Sequence, residues 1–251
     1  MDNTRLSTGA ARKQPLIAGC VVLVTALAWA YLFRLDHDMS RMTMAMDMPW
    51  NLKDFFLTFF MWSVMMVGIM SASAAPVWML FTQMGEARGD PRASTLGMLF
   101  GAGHLTVWIG FSALAALLQW QLHENALLSS GIAITGTRTA GAILIAAGLY
   151  QLTPAKRACL TRCQSPLGFL MSNWRDGNKG ALQLGLRHGL YCLGCCWALM
   201  CVLFVVGVMN LAWVAALTAF VLLEKLGPAG MRVARAGGVL LTGLGVVLLV
   251  R

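Results

Sequence analysis

The side chains most able to do chemistry lie in one short run, His188-Gly189-Leu190-Tyr191-Cys192-Leu193-Gly194-Cys195-Cys196. Imidazole and thiolate are soft or borderline donors that suit Cu(I) and Zn(II) and serve Mg(II) or Ca(II) poorly. Wound as a helix, His188, Cys192, Cys195 and Cys196 fall within one sector of about 100°, so a single face presents all four, while Cys201 points elsewhere. A lone cysteine in an apolar segment behaves as a small hydrophobe, which accounts for Cys20 and Cys201. Three cysteines and a histidine on one stripe point instead to metal ligation. Redox chemistry through Cys192-x-x-Cys195 is the alternative.

Further soft donors occur in other apolar runs. Met65, Met66 and Met70 lie in a methionine-rich segment beside Gly68, Ser71, Ser73 and Ala74. Small residues there permit close helix approach, thioethers are Cu(I) ligands, and methionine also fills cores. Taking run midpoints as depth markers, Cys195, His104 and Met70 fall at similar levels. His188 then lies about 7–8 Å from the level of His104 at 1.5 Å per residue. That mismatch argues against a haem held by the two histidines.

The elements that must carry these donors are read from hydropathy. The 251 residues are 58% hydrophobic and only 12% charged, and the charges gather between long apolar runs, against roughly a quarter charged in soluble domains. Such a chain needs lipid as its solvent. The net charge of +9 forms no basic face, which excludes a nucleic-acid partner. Seven cysteines exclude a fully paired disulfide framework within one chain. An all-α, polytopic transmembrane helix bundle follows, with about seven spans near 16–33, 56–81, 95–119, 133–153, 184–208, 210–224 and 235–250. The count falls to six if the two shortest form a re-entrant hairpin. The first run is too long for a signal peptide core and reads as a retained span.

Stretches Arg5–Lys13, Arg88–Arg92, Lys156–Lys179 and Lys225–Arg235 carry 13 of the 19 Lys and Arg residues. Placing them inside makes the N-terminus cytoplasmic. The first external loop then holds His37, Met39, Met42, Met44, Met46 and Met48, either an accessory thioether-rich site suited to capturing or releasing Cu(I) or an amphipathic segment that dips its methionines and Trp50 into the membrane surface. A cytoplasmic loop over 154–180 holds Cys159 and Cys163, either a second accessory metal site whose thiols Arg157 and Arg162 would activate or a pair of idle reduced cysteines. Glu224 and Lys225 read as an interfacial pair whose ends snorkel to water. Residues 1–54 form an N-terminal span plus the Met-rich loop, and 55–251 the metal-binding membrane domain.

The segments MWSVMM (61–66), SAAP (73–76), GLYQLTPAKRACLTRC (148–163), SPLGF (165–169), HGLYCLGCCWALM (188–200), GVMN (207–210) and EK (224–225) resemble the predicted metal-binding integral membrane protein family of bacteria. The resemblance covers roughly residues 55–250. It implies a multi-pass bacterial inner-membrane protein associated with copper handling, with Met65, Met66, Met70, His104, His188, Cys192, Cys195 and Cys196 as candidate ligands.

The reading is a Cu(I)-binding membrane protein, with Zn(II) as second metal, that transfers copper or delivers it to an external acceptor protein or cuproenzyme. It is not read as an enzyme. No phosphate-binding loop is present, so movement would rely on a gradient or an acceptor. The competing class is a membrane thiol–disulfide oxidoreductase using Cys192 and Cys195, although the βαβ context of the soluble motif is missing.

Overall fold

The computed structural model describes residues 3–41, 51–125, 127–128 and 133–250. Among them the chain is all-α: α1 (Asn3–Arg41), α2 (Leu52–Ala87), α3 (Ala93–Glu124), α4 (Thr137–Leu152), α5 (Pro154–Gln164), α6 (Pro166–Asn173), α7 (Gly177–Val206), α8 (Leu211–Leu226) and α9 (Gly230–Val250). One isolated antiparallel bridge joins Leu128 and Ile134.

Helices occupy all seven segments read as spans, and five are long and apolar enough to cross a membrane: Ile17–Asp38 within α1, then α2, α3, α7 and α9. At 16 residues each, α4 and α8 reach only about 24 Å, short of a hydrocarbon core of about 30 Å. Seven full-length spans are therefore more than the helix lengths support.

Residues 154–180 are not the loop expected from their charges. Proline explains the local structure. Pro154 and Pro166 stand at the first turn of α5 and α6, where a missing N–H costs nothing, and each breaks the rod behind it. Thr153 caps α5, its hydroxyl accepting from the Lys156 N–H at 3.2 Å. The three pieces α4, α5 and α6 form a bent rod that runs antiparallel to α7. Leu144 and Ala147 pack with Ala198 and Val202, Cys159 lies against Gly194, and Phe169 lies against His188.

Helix α2 starts from a capping box. Asn51 accepts from the Lys53 N–H at 2.8 Å, and Asp54 accepts from the Asn51 N–H at 2.9 Å. The helix runs unbroken past Pro76. Helices α4 and α9 pack antiparallel at backbone contact, since a Cβ on Gly141 would lie 2.8 Å from the Gly245 carbonyl. Such contact is the usual use of small residues where helices meet in an apolar setting. The distribution of polarity is inverted. Leu114, Leu190, Val239 and Leu240 are exposed on the outside, while His104, Lys156, Glu224 and Lys225 are buried.

Candidate metal centre

The stripe on α7 faces inward. His188, Cys192, Cys195 and Cys196 are none of them more than 3% exposed, and Cys201 is only half-buried. What they face is set by glycine. Helices α3 and α7 run parallel at backbone contact: a Cβ on Gly103 would sit 2.5 Å from the Leu182 carbonyl, and one on Gly189 would sit 3.0 Å from the His104 carbonyl. This approach brings His104 against His188, with Nδ1 atoms 3.0 Å apart and ring centroids 4.9 Å apart. Phe100, Phe169 and Trp78 pack around the two rings. The His104 Nε2 is buried without a hydrogen-bond partner.

The depth mismatch expected between these histidines is therefore wrong. Helix α7 begins at Gly177 rather than at 184, which moves its centre toward His188 and levels it with His104. Haem remains a poor fit for a different reason. Rings in direct contact leave no space for a macrocycle between them.

The sulfur atoms lie beside this pair. The Cys195 and Cys196 thiols donate to the Cys192 carbonyl at 3.1 and 2.8 Å. Cys192, Cys195 and Cys196 all lie in one buried core. From α8, the Lys225 ammonium donates to Cys192 Sγ at 3.0 Å and to Ser73 Oγ at 3.1 Å, with Met70 Sδ at 3.8 Å. Ser73 in turn donates to the Met70 carbonyl at 3.0 Å. A single cation is thus shared by a cysteine sulfur and a methionine sulfur from two helices. Met65 and Met66 are buried in the same core. Among the described residues, no group of three or more His, Cys, Asp or Glu side chains has the geometry to hold a metal ion as it stands. Two of the thiols are turned onto their own backbone, so ligation requires them to leave it.

The sequence profile of a family described as PpoB2, copper chaperone, matches residues 59–248. The chain belongs to the PpoB2 copper chaperone family. No curated protein and no solved structure matches it.

The copper chaperone match runs from within α2 to α9 and so takes in every donor of the buried cluster. It leaves out α1 and the methionine-rich stretch after it. There, His37 is exposed near the end of α1, 3.9 Å from Asp38. Met39 also belongs to α1, so the helix continues into what the sequence suggests is loop. Met42, Met44, Met46 and Met48 lie outside the described residues.

Two expectations are corrected. Cys163 sits in helix α5 rather than in a loop. It is buried in one core with Cys195, while Cys159 packs against Gly194 of α7. The Arg162 guanidinium lies over the Tyr191 ring, 5.6 Å from its centroid. Glu224 and Lys225 are likewise not a snorkelling pair. Glu224 is buried and bonded to Lys156 at 2.7 Å and to Gln151 at 2.9 Å, which leaves Lys225 to the sulfurs. The signal for Lys225 was visible as an ionisable group inside an apolar run, a combination that is costly and usually functional.

Proposed function

We propose that this chain is a membrane-embedded Cu(I) chaperone whose cargo is bound among Cys192, Cys195, Cys196, His188 and His104, with Met70, Met65 and Met66 as thioether donors nearby. The observation that carries the reading is the Lys225 ammonium, held at once by Cys192 Sγ and Met70 Sδ. A place among sulfurs that already holds a monovalent cation suits a soft monovalent metal. Family membership supports copper as the metal, and Zn(II) is the second choice.

The inverted polarity supports a membrane setting, since buried ions and an apolar exterior are what lipid demands. The distribution of Lys and Arg supports a cytoplasmic N-terminus in a bacterial inner membrane. Transfer proceeds by ligand exchange to an acceptor protein or cuproenzyme, without catalysis by this chain. Copper and zinc content of purified wild type, compared with the Cys192/Cys195/Cys196→Ser variant, tests the reading. Equal copper in both proteins would remove the proposed site.

A further inference from the structure

A cavity of about 660 Å³ lies at the α8–α9 turn, lined by Gln164 from α5, by Lys225, and by Ala229, Gly230, Met231 and Arg232. Lys225 belongs to both this cavity and the sulfur cluster, because the residue lines the cavity and its ammonium touches Cys192. The surrounding frame is fixed. Gln164 donates to the Glu224 carbonyl at 2.7 Å, and the Glu224 carboxylate is bound to Lys156 at 2.7 Å. A Cβ at Gly230 would collide with the Glu224 carbonyl and the Gln164 amide. Lys225, by contrast, has no carboxylate within ion-pair distance among the described residues, and four methylenes let its ammonium swing.

We propose that this cavity is the port through which cargo reaches or leaves the buried sulfurs, and that the Lys225 ammonium is its displaceable plug. The proposal rests on the copper-chaperone reading and adds a route and a gate to it. Cu(I) that enters as a thiol proton and the Lys225 cation leave adds no net positive charge to the low-dielectric interior. Arg232 in the wall disfavours a bare cation and favours copper carried as an anionic thiolate complex. Each Cu–S bond that breaks is replaced by one to a protein sulfur, and the departing thiolate takes that sulfur's proton.

The test uses the full chain in detergent, loaded with Cu(I) buffered by excess glutathione. Release to bathocuproine disulfonate is followed by absorbance, and labelling of the buried thiols by a cationic methanethiosulfonate is counted by mass spectrometry. Ala229 is exposed, so Ala229→Trp fills the port from the surface. It should slow release about tenfold with copper stoichiometry unchanged. Lys225→Met should speed thiol labelling of the copper-free protein about tenfold. Wild-type rates in Ala229→Trp overturn the port even where Lys225→Met fails to fold. Wild-type labelling in a folded Lys225→Met overturns the plug. A wild-type protein that takes up no copper overturns the underlying chaperone reading, which neither variant's rates can do.

Discussion

His104 on α3 and His188 on α7 face each other with their Nδ1 atoms 3.0 Å apart, in a pocket walled by Phe100, Phe169 and Trp78. At that distance one ring nitrogen donates and the other accepts, so the pair is locked into complementary tautomers. The two residues are 84 positions apart in sequence. Only the packing of α3 on α7 makes them neighbours.

Truncating either histidine should therefore weaken copper binding by a similar amount. We expect His104→Ala and His188→Ala each to lower Cu(I) affinity about 10- to 100-fold. The double variant should fall short of the product of the two, because residues in contact act as a unit. Competition with a Cu(I) chelator measures this, and unchanged affinity in both single variants would remove the pair from the site.

The glycines between α3 and α7 should prove essential in a way that other glycines are not. Gly103→Ala would drive a methyl to 2.5 Å from the Leu182 carbonyl, at a cost of about 1–3 kcal/mol from overpacking, and would part the histidines. Gly110→Ala, with nothing within 4 Å of the added Cβ, should be neutral or stabilising by up to about 1 kcal/mol. Thermal melting in detergent compares the two, and equal melting temperatures would contradict the close approach.

The buried Lys156–Glu224 bond at 2.7 Å ties α5 to α8. Lys156→Met leaves a buried carboxylate without its cation and should destabilise by about 3–5 kcal/mol. Lys156→Met combined with Glu224→Leu should recover much of that loss, because the uncompensated charge is gone. Melting curves of the single and double variants decide it. A double variant no more stable than the single would mean that the carboxylate holds α8 through Gln151 instead.

Copper loading should release protons. The Cys195 and Cys196 thiols donate their hydrogens to the Cys192 carbonyl, and a thiol must lose its proton to bind metal as thiolate. Proton and copper compete, so apparent affinity should rise with pH. Loading in weakly buffered solution with an indicator dye shows the release, and an affinity flat with pH would exclude these two thiols as ligands.

The sequence alone determined what one helix determines. With about 100° of rotation per residue, His188, Cys192, Cys195 and Cys196 must share a face and Cys201 must leave it, because covalent geometry sets the spacing. Hydropathy likewise specified the long apolar helices, since burying backbone groups without water leaves few alternatives. What lay across from the stripe was decided only by tertiary structure. The level of His188 depended on where α7 begins, and that start lay in a polar stretch with no hydropathy signal. Cys163 read as part of a cytoplasmic loop because its neighbours are basic, yet Pro154 and Pro166 bend the chain back along α7. Lys225 looked paired with Glu224 because the two are adjacent. Consecutive residues on a helix point about 100° apart, so one side chain met Lys156 while the other met the sulfurs.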